Sequence, residues 1–383
     1  MNIDPETCYQ ALRTRDPRFD GRFFTAVKTT GIYCRPICPA RTPNQSNVRF
    51  FACAAAAEEA GFRPCRRCRP ETAPGTPAWD GTSAVVSRAL RLISESVCDD
   101  VRFKDLASRV GVGSRQLRRL FLQHLGVAPK AVLQTQRLHF ARRLIDETDL
   151  PMTRIAFGSG YNSIRCFNRA ILKSFRTYPT DLRRTAKRQG QRGRDLTMQL
   201  AYRPPLDWNL LLGFLSARAI PGVESIENGR YRRSIEVDGR VGIIEVVPES
   251  SGSYLSLRMT LPGTDRLAQI VHRVRQLFDL DADPICIAQN LSSDRVLNRA
   301  VKTLPGLRLP GTWDPFELIV RAVLGQQISV KAATTIAGRI VQKFGQPIAF
   351  DNPLRITHLF PRPEILRNAD FAGIGLTTAR AQT

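Results

Sequence analysis

Four cysteines near the start of the chain stand in two close pairs, Cys34-x3-Cys38 and Cys65-x2-Cys68. Two such pairs separated by a few tens of residues are what a tetrahedral thiolate metal site requires, each pair clipping a tight turn onto one ion, and Zn²⁺ is the ion expected. Four thiolates around Zn²⁺ carry a formal charge of −2. That charge keeps the sulfurs deprotonated at neutral pH and leaves one of them electron-rich enough to attack a soft electrophile. The remaining cysteines, Cys8, Cys53, Cys98, Cys166 and Cys286, lack partners at ligand spacing and are read as small core residues or inert thiols.

The elements that must position this site sit in a chain of 383 residues with 57 Lys+Arg, 34 Asp+Glu and a net charge of +23. The excess is uneven: residues 84–190 hold 21 basic and 8 acidic side chains, +13, in about a quarter of the length. A block of this kind attracts polyanions without choosing among sequences. The N-terminus has no basic-then-apolar leader and no stretch approaches about 18 apolar residues. The expectation is a cytoplasmic, nucleoid-associated protein with reduced thiols and no membrane contact.

Residues 84–185 show helical spacing and a duplication at an offset of fifty. In the first unit, a turn at Gly111-Val112-Gly113 leads to Ser114, expected as an N-cap. The following helix places Leu117, Leu120 and Phe121 on one face and Arg115, Gln116, Arg118 and Arg119 on the other. In the second, Ser163 caps a helix packing Phe167 and Ile171 and exposing Arg165, Asn168, Arg169 and Lys173. Arg115 aligns with Arg165, Arg119 with Arg169, and a long helix near Lys130–Glu147 lies between the units. Two such units reach successive major-groove segments about 34 Å apart without a dimer, so a monomer on double-stranded DNA is expected. Arginine reads guanine and asparagine adenine, though base and phosphate contacts are not separable at this stage. After a basic linker at Lys187–Arg194 come strands at Leu196–Tyr202, Arg230–Val237, Arg240–Val247 and Ser253–Leu261, a helix at Trp208–Arg218, an Asp238-Gly239 hairpin, and then helices.

Three resemblances follow. Val27–Arg41 with Gly61–Cys68 resembles the N-terminal zinc domain of the Ada alkylation-response protein. That resemblance makes Cys34 the acceptor of a methyl group from a DNA methyl phosphotriester and makes Cys38, Cys65 and Cys68 structural ligands. Arg35, Arg66 and Arg67, basic residues interleaved with the ligands, are expected as phosphate contacts. Residues 84–185 resemble the AraC/XylS DNA-binding domain, which implies a promoter operator and RNA polymerase as partners. Pro204–Trp208, Leu212–Ala219, Pro305–Gly311, Trp313–Glu317 and Leu324–Val330 resemble an AlkA-type 3-methyladenine DNA glycosylase, with Gln327 as base-flipping wedge and Phe214 as pocket aromatic.

The fold expected is multidomain α+β: a small four-cysteine zinc domain over 1–78, an all-α double helix-turn-helix over 84–187, an AlkA-like mixed α/β domain over 195–310, and an incomplete helix-hairpin-helix part over 311–383. Glycosylases of this class place an Asp about twenty residues after a Gly-rich hairpin. Only eight residues follow Gly375, and Asp351 and Asp370 precede it. The sequence therefore favours a self-methylating sensor and transcription activator over base excision, and expects apolar faces at Leu318, Val320, Val323 and Leu324 to be uncovered. A regulator with a purely structural zinc site is the third reading.

Overall fold

The computed structural model describes residues 4–74, 84–95, 97, 102–188, 196–250, 252–261, 263, 266–348 and 355–376. The linker residues 189–195, Cys98 and Asp351 lie outside them. The first part opens with α1 (Pro5–Thr14), where Asp4 accepts the Thr7 N–H at 3.0 Å and Pro5 begins the helix. Strands β1 (Phe24–Val27), β2 (Ile32–Cys34), β3 (Val48–Phe51) and β4 (Arg63–Pro64) form a sheet in the order β3-β1-β2-β4, with α2 (Ala54–Glu59) packed on it. The parallel pairing of β2 with β4 sets Tyr33 beside Pro64, and the Cys65 N–H donates to the Tyr33 carbonyl at 3.0 Å. That register brings the two cysteine pairs together.

The middle part runs through α3 (Ala84–Glu95), α4 (Phe103–Arg109), α5 (Ser114–Leu125), α6 (Pro129–Glu147), α7 (Met152–Gly158), α8 (Ile164–Phe175) and α9 (Pro179–Arg188). Ser163 caps α8 through a 3.2 Å bond from the Cys166 N–H, as expected. Ser114 is not the cap of α5: Gly113 holds that position, Ser114 is already helical, and no side-chain bond closes the end. Helix α6 buries eleven of its nineteen residues, because both helix-turn-helix units and the first part all pack against it.

The third part is an antiparallel five-stranded sheet, order β5-β9-β8-β7-β6, from β5 (Leu196–Ala201), β6 (Glu224–Glu227), β7 (Arg230–Val237), β8 (Arg240–Pro248) and β9 (Tyr254–Thr260). Asp238 (φ 50°) and Gly239 (φ 73°) join Val237 to Arg240 as the two-residue turn the sequence predicted. An Asn228-Gly229 turn of the same kind links β6 to β7, and β6 is a strand the sequence reading missed. Helices α10 (Trp208–Ser216) and α11 (Leu267–Leu277) contribute to the same core, which is continuous with that of the second helix-turn-helix unit. The helices α12 (Pro284–Leu291), α13 (Arg295–Thr303), α14 (Pro315–Leu324), α15 (Val330–Phe344) and α16 (Pro363–Leu366) follow among the described residues. Here one expectation needs correction: Leu324 is buried and Val320 packs beside it against Ile336 and Ile340, while Leu318 is half exposed.

Polar anchors hold the parts together. At the C-terminal end of α6, Arg69 reaches Asp146 at 2.9 Å and Glu147 at 3.5 Å, and Arg142 reaches Asp146 at 3.1 Å. Glu71 joins from the first part through Arg69 at 3.2 Å. On β5, Gln199 donates its N–H to Glu147 at 3.3 Å and accepts from Arg143 at 2.7 Å. A second anchor is Arg203, fully buried, which donates to the carbonyls of Asp20 at 3.0 Å and Asp281 at 2.9 Å. Beside it, Arg22 pairs with Asp283 at 2.9 Å.

Two measurements test this packing. Gly21 has φ 73°, and a methyl group there would lie 2.1 Å from the Pro74 carbonyl oxygen, whereas Gly31, at φ 65°, faces open space. Thermal melting of the zinc-loaded chain should show Gly31→Ala costing about 1 kcal/mol from backbone conformation alone, and Gly21→Ala more than about 2 kcal/mol. Burial raises the Asp146 carboxyl to about 6 from the ordinary 3.8. Between those values the folded chain keeps a proton that the unfolded chain has released, so this group's contribution to stability is lost as pH rises. Asp146→Asn has no such proton to lose, and its stability should gain on the parent's as pH rises from about 4 to about 6, by up to about 3 kcal/mol across the interval.

Candidate metal centre and nucleic-acid surfaces

The Sγ atoms of Cys34, Cys38, Cys65 and Cys68 all lie within 4.8 Å of one another. A Zn²⁺ tetrahedron with bonds of about 2.3 Å spaces its sulfurs about 3.8 Å apart, so the cage is of the right size. The eight described cysteines are all free thiols. Cys38, Cys65 and Cys68 are 6%, 9% and 7% exposed, whereas Cys34 is only half-buried. One backbone N–H is bonded to a ligand sulfur, that of Arg35 to Cys68 at 3.3 Å, and the backbone at Ala40 and at Cys68 helps to lower the Cys38 and Cys65 thiols.

Crowding makes these thiols interdependent. Cys34 is pushed far above the ordinary thiol range, chiefly by Cys38, and Cys68 likewise, chiefly by Cys34. Cys65 and Cys38 are pulled down, each chiefly by its contact with Cys34. Four sulfurs in this volume cannot all release their protons unless a cation sits among them, which is the donor chemistry of a divalent thiophilic metal. Cys8 and Cys53, by contrast, are buried with thiols raised to about 12 and about 11 by desolvation, as expected of core residues. Of the two alternatives expected for these cysteines, Cys166 is not a core residue: it is exposed on α8, in the turn after the cap.

Three family models match the chain: the metal binding domain of Ada over residues 7–71, a helix-turn-helix domain over 106–185, and the AlkA N-terminal domain over 197–314. A Mycobacterium tuberculosis protein named "Probable bifunctional transcriptional activator/DNA repair enzyme AlkA" is 40% identical over 387 residues, covering 100% of this chain and 77% of its own length. The chain belongs to this bifunctional regulator and repair family. The front and back of the chain also match separate proteins of Escherichia coli. The "Bifunctional transcriptional activator/DNA repair enzyme Ada" is 43% identical over 136 residues, 36% of each chain. "DNA-3-methyladenine glycosylase 2" is 34% identical over 186 residues, 48% of this chain and 63% of that one. The four-cysteine cage is a zinc site.

Around this centre, the basic residues expected at phosphate divide into three kinds. Arg67 is exposed. Arg35 is not available to DNA: it is 3% exposed, its guanidinium pairs with Asp20, and it donates to the Thr72 hydroxyl at 2.7 Å. Arg66 has an exposed side chain, but its guanidinium donates to the Phe175 carbonyl at the end of α8. On the helix-turn-helix units, Arg115, Gln116 and Arg119 of α5 and Arg165, Arg169 and Lys173 of α8 are largely open to solvent, and Asn168 is half-buried. The opposite faces bury Leu117, Phe121 and Leu125, and Phe167, Ile171 and Phe175.

In the glycosylase-like part, Phe214 lines a cavity of about 360 Å³ together with Trp313, Glu317 and Ile328. The Arg218 guanidinium covers its ring at 3.7 Å, a stacking partner the sequence did not reveal. Gln327 is exposed with φ 56° in the turn between α14 and α15, next to Ile328 on the cavity wall. Sequence reasoning also missed the polar group joining the zinc centre to α6. The Tyr33 hydroxyl meets Glu58 at 2.8 Å and His139 at 3.1 Å, and Glu58 accepts from Thr135 at 2.8 Å. Its members come from three separate segments, and no spacing rule connects them.

Metal analysis of the purified chain should give one zinc per molecule. Cys65→Ser should lose most of it and Cys166→Ser none.

Proposed function

We propose that Cys34 accepts a methyl group, irreversibly, from a methyl phosphotriester in DNA, and that the methylated chain is a sequence-specific transcription activator. The observation that carries this reading is the asymmetry of the cage: Cys38, Cys65 and Cys68 are closed off, and Cys34 alone is only half-buried. A thiolate must meet its electrophile directly, so the sulfur that is not closed off is the one placed to attack. The methyl phosphotriester is a fitting electrophile, because its phosphate is neutral and does not repel an anionic cage. The sulfur forms the S–CH3 bond, the methyl C–O bond breaks, and the electron pair leaves with the oxygen of an ordinary phosphodiester. The cage passes from −2 to −1, and its repulsion of the DNA backbone falls. Membership of a regulator and repair family supports the pairing of the two activities.

The four-part division at 1–78, 84–187, 195–310 and 311–383 gives each activity its own module. Cys38, Cys65 and Cys68 hold the zinc. Arg115, Gln116, Arg119, Arg165, Asn168, Arg169 and Lys173 face the operator, two recognition helices serve one monomer, and RNA polymerase is the partner that reads the outcome. Base excision has Phe214 and its cavity in its favour. The acids on that cavity wall are paired with arginines of the same wall: Glu317 with Arg233 at 2.7 Å and with Arg321 at 2.6 Å, and Glu224 with Arg321. Asp370 accepts the Ala372 N–H at 2.9 Å.

Intact-protein mass spectrometry after incubation with DNA carrying methyl phosphotriesters should show a gain of one methyl, absent in Cys34→Ala. The methylated protein should bind promoter DNA at least about ten-fold more tightly than the unmethylated one, measured at fixed salt. Zinc-loaded protein that gains no methyl would rule the reading out.

A further inference from the structure

Thr25 stands directly across the β1–β2 pair from Cys34, and across the β1–β3 pair from Phe50. Side chains at opposed positions of an antiparallel pair project from the same face, with Cβ atoms about 4.5–5.5 Å apart. The Thr25 side chain therefore lies beside that of Cys34, on the face of the sheet that carries the cage. On its other side, Phe50 packs in an apolar cluster with Cys8, Ala11 and Phe23. Thr25 is 1% exposed, and among the described residues its hydroxyl has no hydrogen-bond partner. A buried hydroxyl left unpaired is costly, and folded interiors hold few of them. The strand register sets a strong acceptor next to it, the ionised sulfur of Cys34 in the zinc-loaded cage.

We propose that the Thr25 hydroxyl, turning about its Cα–Cβ bond, donates to the Cys34 thiolate from the buried side and sets how fast that sulfur reacts. The half-buried sulfur then has one side engaged by Thr25 and the other open to an electrophile. A proton shared with a thiolate lone pair draws charge from the sulfur and lowers its nucleophilicity. Methylation ends the bond, because a thioether is a weak acceptor. The donor thus favours the unreacted cage over the transition state, and Cys34 is a restrained nucleophile. The hydroxyl keeps its proton throughout: the sulfur lone pair forms the S–CH3 bond and the C–O pair leaves with the phosphodiester. Restraint keeps Cys34 from being spent on small electrophiles that are never held in place, whereas a bound phosphotriester gains from proximity. This rests on the reading of Cys34 as the methyl acceptor.

Thr25→Val keeps the shape and the β-branch and removes the hydroxyl, while Thr25→Ser keeps the donor. The full zinc-loaded chain of each is treated with methyl iodide, and methyl gain at Cys34 is timed by peptide mass. A second series uses DNA carrying methyl phosphotriesters. With methyl iodide, Thr25→Val should react about three- to ten-fold faster than the parent, as one lost hydrogen bond to a charged sulfur implies, and Thr25→Ser within about two-fold of it. The sign of the change is diagnostic: a general lesion of the sheet slows transfer, and a lost donor speeds it. With Co²⁺ in place of zinc, the sulfur-to-metal charge-transfer band should move to lower energy in Thr25→Val and stay in place in Thr25→Ser. The unbonded sulfur holds its electrons less tightly. A Thr25→Val chain that reacts no faster than the parent, or whose cobalt band matches the parent's, overturns the proposal. A parent that takes a methyl from methyl iodide but none from DNA overturns the methyl-transfer reading instead, and the methyl iodide rates of the variants still decide whether Thr25 restrains the sulfur.

Discussion

Six charges clustered at one end of α6, three of them buried and three half-buried, set the terms for the whole chain. Arg69, Arg142 and Arg143 oppose Glu71, Asp146 and Glu147, three against three, in a place where most of these side chains have little contact with water. A buried ion pair adds little net stability, but removing one member leaves a desolvated charge at a cost of several kcal/mol, about 3–5 in measured cases. The members come from the zinc part and from the helix between the two DNA-reading units, and Gln199 of the sheet is bonded into the same group. Geometry is what the cluster fixes: each part must be present, and in one orientation, for the others to be satisfied. It also explains why α6 shows weak amphipathic patterning, since it has no solvent face of the usual width.

The zinc centre applies the same rule to a smaller volume. Four sulfurs within 4.8 Å need a divalent cation to stay ionised, and burial closes off three of them. What is left is a single site of reactivity, defined by the absence of protection around one residue. Arg35 shows how closely this is built. It does not reach out to phosphate but turns inward to Asp20, so that its own N–H is held against Cys68. Asp20 in turn offers its carbonyl to Arg203, which ties the metal centre to the sheet domain through two arginines in succession.

Features written in local spacing were legible in the sequence. The ligand pairs, the apolar and basic faces of α5 and α8, the Ser163 cap and the Asp238-Gly239 turn all depend on residues within a few positions of each other. The Asn228-Gly229 turn carried an equally strong local signal, and was missed because β6, at four residues, is too short to show alternation. Apart from the Ser114 cap, a position that Gly113 holds, the assignments that failed needed long-range information. Arg35, Arg66 and Arg67 are alike in type and in nearness to a cysteine, yet one is buried on an aspartate, one caps a distant helix and one faces solvent. Their partners lie 15 and 109 residues away. Likewise, the place of Leu324 in a core could not be inferred without knowing that Ile336 and Ile340 return to meet it.

One accessible thiolate in a closed cage has an arithmetic consequence. A thioether sulfur is a poor leaving group, and nothing in the cage offers a way to take the methyl back. On the proposed reading each molecule thus registers a single lesion and then keeps the mark. The response is a tally whose ceiling is the number of copies in the cell and whose time base is growth. The mark fades only as daughter cells share out the marked chains or proteases remove them, so recent chemical exposure is held as a short-lived inheritance.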